Sequence, residues 1–70
     1  MTPEFDLGDE VKLAVLENGV KRSKKMIIVK VEQKEGRWMY QVKPFGQLSG
    51  SVHRDENGRD WFAESALDFW

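Results

Sequence analysis

Seventy residues suffice for one domain near the lower size limit, and without cysteine neither a disulfide nor a thiolate metal site can staple it. Eleven Lys and Arg against twelve Asp and Glu leave a net charge of −1, which argues against bulk electrostatic attachment to nucleic acid while leaving room for a local patch. No apolar run approaches the roughly 18 residues that span a bilayer, and residues 1–7 lack the basic start and apolar stretch of a signal peptide, so an intracellular chain, cytoplasmic or nuclear, is expected.

Residues 1–6 hold Pro3 and two acids and show no periodicity, which predicts a loose leader with Phe5 as its anchor. Gly8-Asp9 is a turn. In residues 10–17, Val11, Leu13 and Val15 alternate with Lys12 and Ala14, the period of a half-buried strand. Asn18-Gly19 is the dipeptide of a tight hairpin. The next apolar run starts only at Met26, however, and residues 18–25 are expected to form a longer loop carrying Lys21, Arg22, Lys24 and Lys25.

Residues 26–33 predict a second strand rich in β-branched side chains. Both faces are apolar at its start. A bulge near Val29-Lys30 would turn Met26, Ile28 and Val31 inward together, while strict alternation would group Ile27, Val29 and Val31; the pattern does not choose. Lys34-Glu35-Gly36 turns the chain into a third strand, where Trp38, Tyr40 and Val42 alternate with Arg37, Met39, Gln41 and Lys43. Pro44 ends it. Residues 47–58 are the least regular stretch, and Asn57-Gly58 marks a turn that residues 48–53 and 59–63 could flank as a fourth strand folded back on itself.

The last twelve residues hold two of the three tryptophans and two of the four phenylalanines. An aromatic pair, a short polar turn and a second aromatic pair read as strand, one 3₁₀ turn and strand. The stretch between the pairs is too short for a stable α-helix. Ser65 or Glu64 is expected to cap the turn, and Leu67 to point into the core. That core is expected to hold Val11, Leu13, Ile28, Val31, Val42 and Leu67, with Trp38 or Tyr40 beside them.

In order, Gly8-Asp9-x-Val11-x-Leu13, Met26-x-Ile28-x-x-Val31, Gly36-x-Trp38-x-Tyr40-x-Val42 and Trp61-Phe62-x-Glu64-Ser65-x-Leu67 resemble an SH3-like small barrel of the Tudor and chromo-barrel type. The likeness runs from about Phe5 to Trp70, and the polar insertion between Gly46 and Trp61 departs from it. The resemblance implies an all-β fold, a five-stranded antiparallel barrel with a 3₁₀ turn before the last strand. It further implies a scaffold that binds peptides, modified side chains or nucleic acid through its loops, with no single activity attached.

Two groups of residues invite a functional reading. Trp38, Tyr40, Phe45, Trp61 and Phe62 are numerous enough to cage a methylated ammonium, although Trp38 and Tyr40 fit a core better. Adjacent strand residues face opposite sides, so one of Trp61 and Phe62 and one of Phe69 and Trp70 should reach the surface. Together they would form one exposed apolar patch next to the insertion, with chain-end fraying as the competing account of Trp70. Trp61, Phe62, Trp70, Phe69 and Phe45 are therefore the candidate partner-binding residues. Lys21, Arg22, Lys24 and Lys25 are the candidate contacts for phosphate or an acidic partner, against the plainer reading of a solvated charged segment. His53 is the only histidine, and Asp55, Glu56 and Asp60 read as solubilising turn residues, so no catalytic residue, metal or cofactor is expected. The resulting expectation is a monomeric, non-catalytic protein-interaction module whose contact surface is the groove between residues 18–25 and 47–60. The alternatives are a nucleic-acid-binding barrel using Lys21 to Lys25, or a structural accessory domain.

Overall fold

The computed structural model describes residues 2–70, and Met1, the first residue of the expected leader, lies outside them. Five strands form: β1 (Glu10–Glu17), β2 (Val20–Lys34), β3 (Arg37–Pro44), β4 (Phe62–Ala63) and β5 (Leu67–Phe69), with one 3₁₀ turn (Glu64–Ala66) between the last two. All pairs are antiparallel, in the order β4-β3-β2-β1-β5, and the sheet curls into a half-barrel compatible with an SH3-like barrel.

The curl follows from β2. A straight strand of its 15 residues would run about 50 Å at ~3.3 Å per residue, longer than the molecule's greatest dimension of 37 Å. The pairing with β3 slips between Ile28 and Lys30, the bulge that two apolar faces in succession suggested. Met26 and Ile28 on one side of it are buried, and Val31 beyond it packs on the same core.

Inward-facing residues of every strand meet in that core. Val11, Leu13 and Val15 come from β1, Tyr40 and Val42 from β3, Phe62 from β4 and Leu67 from β5. Phe5 joins them fully buried, edge-on to the Tyr40 ring with centroids 5.4 Å apart. From Glu4 onward the leader is fastened rather than loose. Gly8 N–H donates to the Ile28 carbonyl (2.8 Å) and Ile28 N–H to that of Asp9 (3.0 Å), so the Gly8-Asp9 turn prolongs the β1–β2 ladder.

Two further expectations fail. Asn18 and Gly19, at φ 52° and 78°, make the tight hairpin turn themselves, and residues 20–25 are strand, not loop. Both central residues of such a turn need positive φ, which Asn and Gly supply at little cost. The fourth strand is also shorter than expected. Only Phe62–Ala63 pairs with β3, while residues 48–61 form turns and extended chain held by His53 N–H to the Val42 carbonyl (2.8 Å). Asn57-Gly58 does turn the chain, because the Asp55 carboxylate accepts the N–H groups of Asn57 and Arg59 (2.9 Å each).

Candidate functional site

The register decides which side each cation and aromatic takes, since directly paired residues share a face. Val11 pairs with Met26, Leu13 with Lys24 and Val15 with Arg22, so Arg22 and Lys24 lie on the concave side. Lys12 pairs with Lys25 and Leu16 with Lys21, which puts Lys21 and Lys25 on the convex side. The four cations therefore do not converge. Lys24 is also bonded to Glu17 (2.6 Å) and Lys25 to Glu10 (2.9 Å), and the Glu17 carboxyl is held below its ordinary pKa by the Lys24 hydrogen bond first and by the nearby Arg22 charge least.

The aromatics divide likewise. Phe62 is core, and Trp61 is half-buried on the convex side with the Lys34 ammonium 4.1 Å from its ring. Phe69 lies on the inner side of β5 and packs edge-on against Phe5 at 4.8 Å. Trp70 continues β5 on the convex side, its N–H donating to the Glu10 carbonyl (3.1 Å). Phe45 follows β3, its N–H donating to the Lys25 carbonyl (3.1 Å). Trp61 and Trp70 thus sit at opposite edges of the sheet with three strands between them, and the single patch expected beside the insertion does not form. No cage forms either, because Tyr40 and Phe62 are buried in the core and Trp38 packs against it.

Sequence reasoning missed the arrangement around Lys25. Its ammonium lies 4.1 Å from the Phe45 ring centroid and 5.6 Å from that of Trp70, while its charge is met by Glu10. Both rings remain more than half exposed, Phe45 at 52 % and Trp70 at 56 %. The half-buried Ile27 is the next residue along β2 on that same convex face. Only the pairing of residues 20–25 with β1 brings Lys25 between the two rings, so a reading that left them as loop had no means to find it.

On the concave side a cleft of about 210 Å³ opens between residues 13–16 of β1 and residues 53–56, with Phe62 at its floor. His53 stacks on Phe62 at 5.9 Å and is half-buried. Burial chiefly pushes its pKa below the usual histidine value, with the Lys24 charge adding to the shift and Asp55 and Glu56 opposing it. A second hollow lies between the Gly36 turn and the 3₁₀ turn, beside Trp38, whose indole N–H is buried without a partner among the described residues.

Glu64 does not cap the 3₁₀ turn, and neither does Ser65. Its carboxylate instead accepts the Glu4 N–H (2.8 Å) and the Tyr40 hydroxyl (2.7 Å), fastening the leader to the closing turn. Those two donors, the Glu4 N–H first, hold the Glu64 carboxyl below its ordinary pKa. Burial, then the bond to Glu64, raises that of Tyr40. No helix among the described residues is long and apolar enough to cross a membrane. Comparison with family models, curated proteins and solved structures finds no match to this chain.

Proposed function

We propose that this half-barrel is a non-catalytic, monomeric interaction module that docks a protein or peptide on its convex face, through Phe45, Trp70 and the Lys25 stem between them. The observation that carries this reading is the pair of exposed rings held in place by strand hydrogen bonds. Large rigid aromatics at the surface of a small domain are the usual anchors of a protein interface. Lys25 favours a protein over a phosphate here. It is already paired with Glu10, so a phosphate would have to displace a carboxylate, whereas an apolar side chain can lie on the two rings without breaking that pair.

The finer Tudor and chromo-barrel reading, recognition of a methylated ammonium, gains little support. Lys25 itself fills the space between the rings that a ligand cation would take. Nucleic-acid binding by Lys21, Arg22, Lys24 and Lys25 is weakened by their division between two faces and by the two ion pairs. A cysteine-free chain fits the reducing cytoplasm or nucleus.

The test is capture of partners by the wild-type chain, by Phe45→Ala/Trp70→Ala and by Lys21→Ser/Arg22→Ser, with identification by mass spectrometry. The reading expects a protein retained by the wild type and by the cation variant but lost from the aromatic one. Recovery of nucleic acid that only the cation variant loses would replace it with the alternative. Retention of the same proteins by all three would move the binding surface elsewhere, and capture of no protein or nucleic acid by the wild type would leave the structural accessory role.

A further inference from the structure

Lys21, Arg22, Lys24 and Lys25 flank a single uncharged residue, Ser23. It is exposed, and its hydroxyl makes no hydrogen bond among the described residues. The place is set by the sheet. β5 ends at Leu67, opposite Leu13, and β3 at Pro44, opposite Met26, so residues 14–24 run on as a two-stranded ribbon with open outer edges.

Hydrogen-bond parity shows which backbone groups are free there. The Asn18-Gly19 turn is closed by the Glu17–Val20 pair, so Val20, Arg22 and Lys24 direct their N–H and C=O at β1. Lys21, Ser23 and Lys25 direct theirs outward, as the Phe45 N–H on the Lys25 carbonyl shows. Ser23 therefore presents its hydroxyl, its N–H and its C=O to an incoming chain at once.

Register also fixes its side-chain neighbours. Ala14 is directly opposite, Lys12 and Leu16 are diagonal, and Lys21 and Lys25 lie one pleat to either side, roughly 7 Å along the strand. Three of these five are lysines and none is an acid. Lys25 is met by Glu10, whereas Lys12 and Lys21 make no ion pair among the described residues, even though Asp68 lies across from Lys12. No other serine has this setting: Ser49, Ser51 and Ser65 have no Lys or Arg within two residues.

We propose that Ser23 is a phosphorylation site for a serine kinase whose acidic substrate groove reads the flanking cations, and that Lys12 and Lys21 then hold the phosphate on the convex side. The kinase brings ATP as the donor. Ser23 Oγ attacks the γ-phosphorus, the bond to the ADP oxygen breaks, and the hydroxyl proton passes to the kinase's catalytic Asp. The product carries roughly −1.5 to −2 charges, which the two unpaired ammonium groups offset while Lys25 stays on Glu10. The ribbon also lets the groove in without opening the core. Its β2 strand buries no side chain from Val20 to Lys24, and a two-stranded hairpin is marginal by itself. The modification does not depend on whether the Phe45–Trp70 face binds a protein.

The experiment treats the whole folded chain with magnesium ATP and the catalytic domain of protein kinase C, and maps the label by mass spectrometry. One phosphate is expected, on Ser23, with none on Ser49, Ser51 or Ser65. Arg22→Gln/Lys24→Gln, which leaves Lys12 and Lys21 in place, should slow labelling about fivefold or more, the scale of two lost charge contacts. Leu67→Ala serves as the largely unfolded reference. The wild type should react within about tenfold of it, whereas a site reached only by global unfolding would lag by on the order of a thousandfold. In the labelled chain the side-chain ammonium resonances of Lys12 and Lys21 should shift and those of Lys30 and Lys34 should not. No label, label on another serine, a rate indifferent to Arg22 and Lys24, a lag of the unfolding scale, or unmoved Lys12 and Lys21 resonances would each overturn the proposal.

Discussion

The Tyr40 hydroxyl accepts the Phe5 N–H at 3.3 Å and donates to Glu64 at 2.7 Å, so one oxygen joins leader, β3 and closing turn. Tyr40→Phe keeps the ring in the core but leaves the buried Phe5 N–H without its acceptor. Such a loss costs about 1–3 kcal/mol, and at roughly 4–8 °C per kcal/mol for a domain this small the melting temperature should drop by several degrees. An unchanged melt would show that the hydroxyl carries no stability. Two pH dependences follow from the same region. Glu64 has a folded pKa below its unfolded value, so its contribution is present above the ordinary carboxylate value of about 4.5 and is lost as pH falls through the folded one. His53 is also depressed, here by burial. The unfolded chain takes up that proton first, and stability should decline as pH falls from about 6.5. Urea midpoints against pH separate the two: His53→Gln should flatten the upper limb, and Glu64→Gln the lower.

At the scale of elements, the β1–β2 ribbon is where physics and pattern part. β1 was legible because Val11, Leu13 and Val15 face the core and their neighbours do not, which writes a period of 2 into the chain. Residues 20–24 face water on both sides of a free ribbon, so no apolar period marks them as strand. What makes them strand is the turn before them, which sets register with β1 locally and without burial. The Asn18-Gly19 signal was therefore sound, and absence of alternation was no evidence against it. The bulge at Val29 was half legible: apolar residues on both faces of Met26–Val31 placed one near Val29-Lys30, but the pattern did not choose it over strict alternation. The Phe45–Lys25–Trp70 cluster was not legible, because it joins the ends of β3 and β5 to the interior of β2, and the sequence does not print their register. Hydrogen exchange checks the ribbon directly. Without ligand, the amides of Ala14, Leu16, Lys21 and Ser23 should exchange fast while those of Leu13, Val15, Arg22 and Lys24, which face across the ladder, are slower. Uniformly fast exchange from residue 18 to 25 would restore the loop.

For the whole molecule, stability and recognition rest on different residues. Among the described residues ten buried side chains form one core, contributed by the leader and all five strands, and a chain of this length has little core to spare. Leu67 lies in it beside Leu13, its partner across the β1–β5 pair, and closes the barrel side that the 3₁₀ turn brings round. Leu67→Ala should cost about 2–5 kcal/mol against a total of about 5 kcal/mol for a small domain, leaving the chain substantially unfolded near 37 °C. The convex face should behave in the opposite way. Phe45 and Trp70 keep more than half their surface in water and contribute to the fold through backbone N–H groups, which alanine retains. The double variant Phe45→Ala/Trp70→Ala should therefore melt within a few degrees of the wild type, since exposed substitutions usually shift stability by no more than about 0.5 kcal/mol each. Its affinity for a partner captured by the wild type should fall by more than about 1 kcal/mol, the threshold that marks an interface anchor. Calorimetry on one preparation reads both quantities. A large loss of melting temperature would place these rings in the stability of the sheet, and an unchanged affinity would move the binding surface elsewhere.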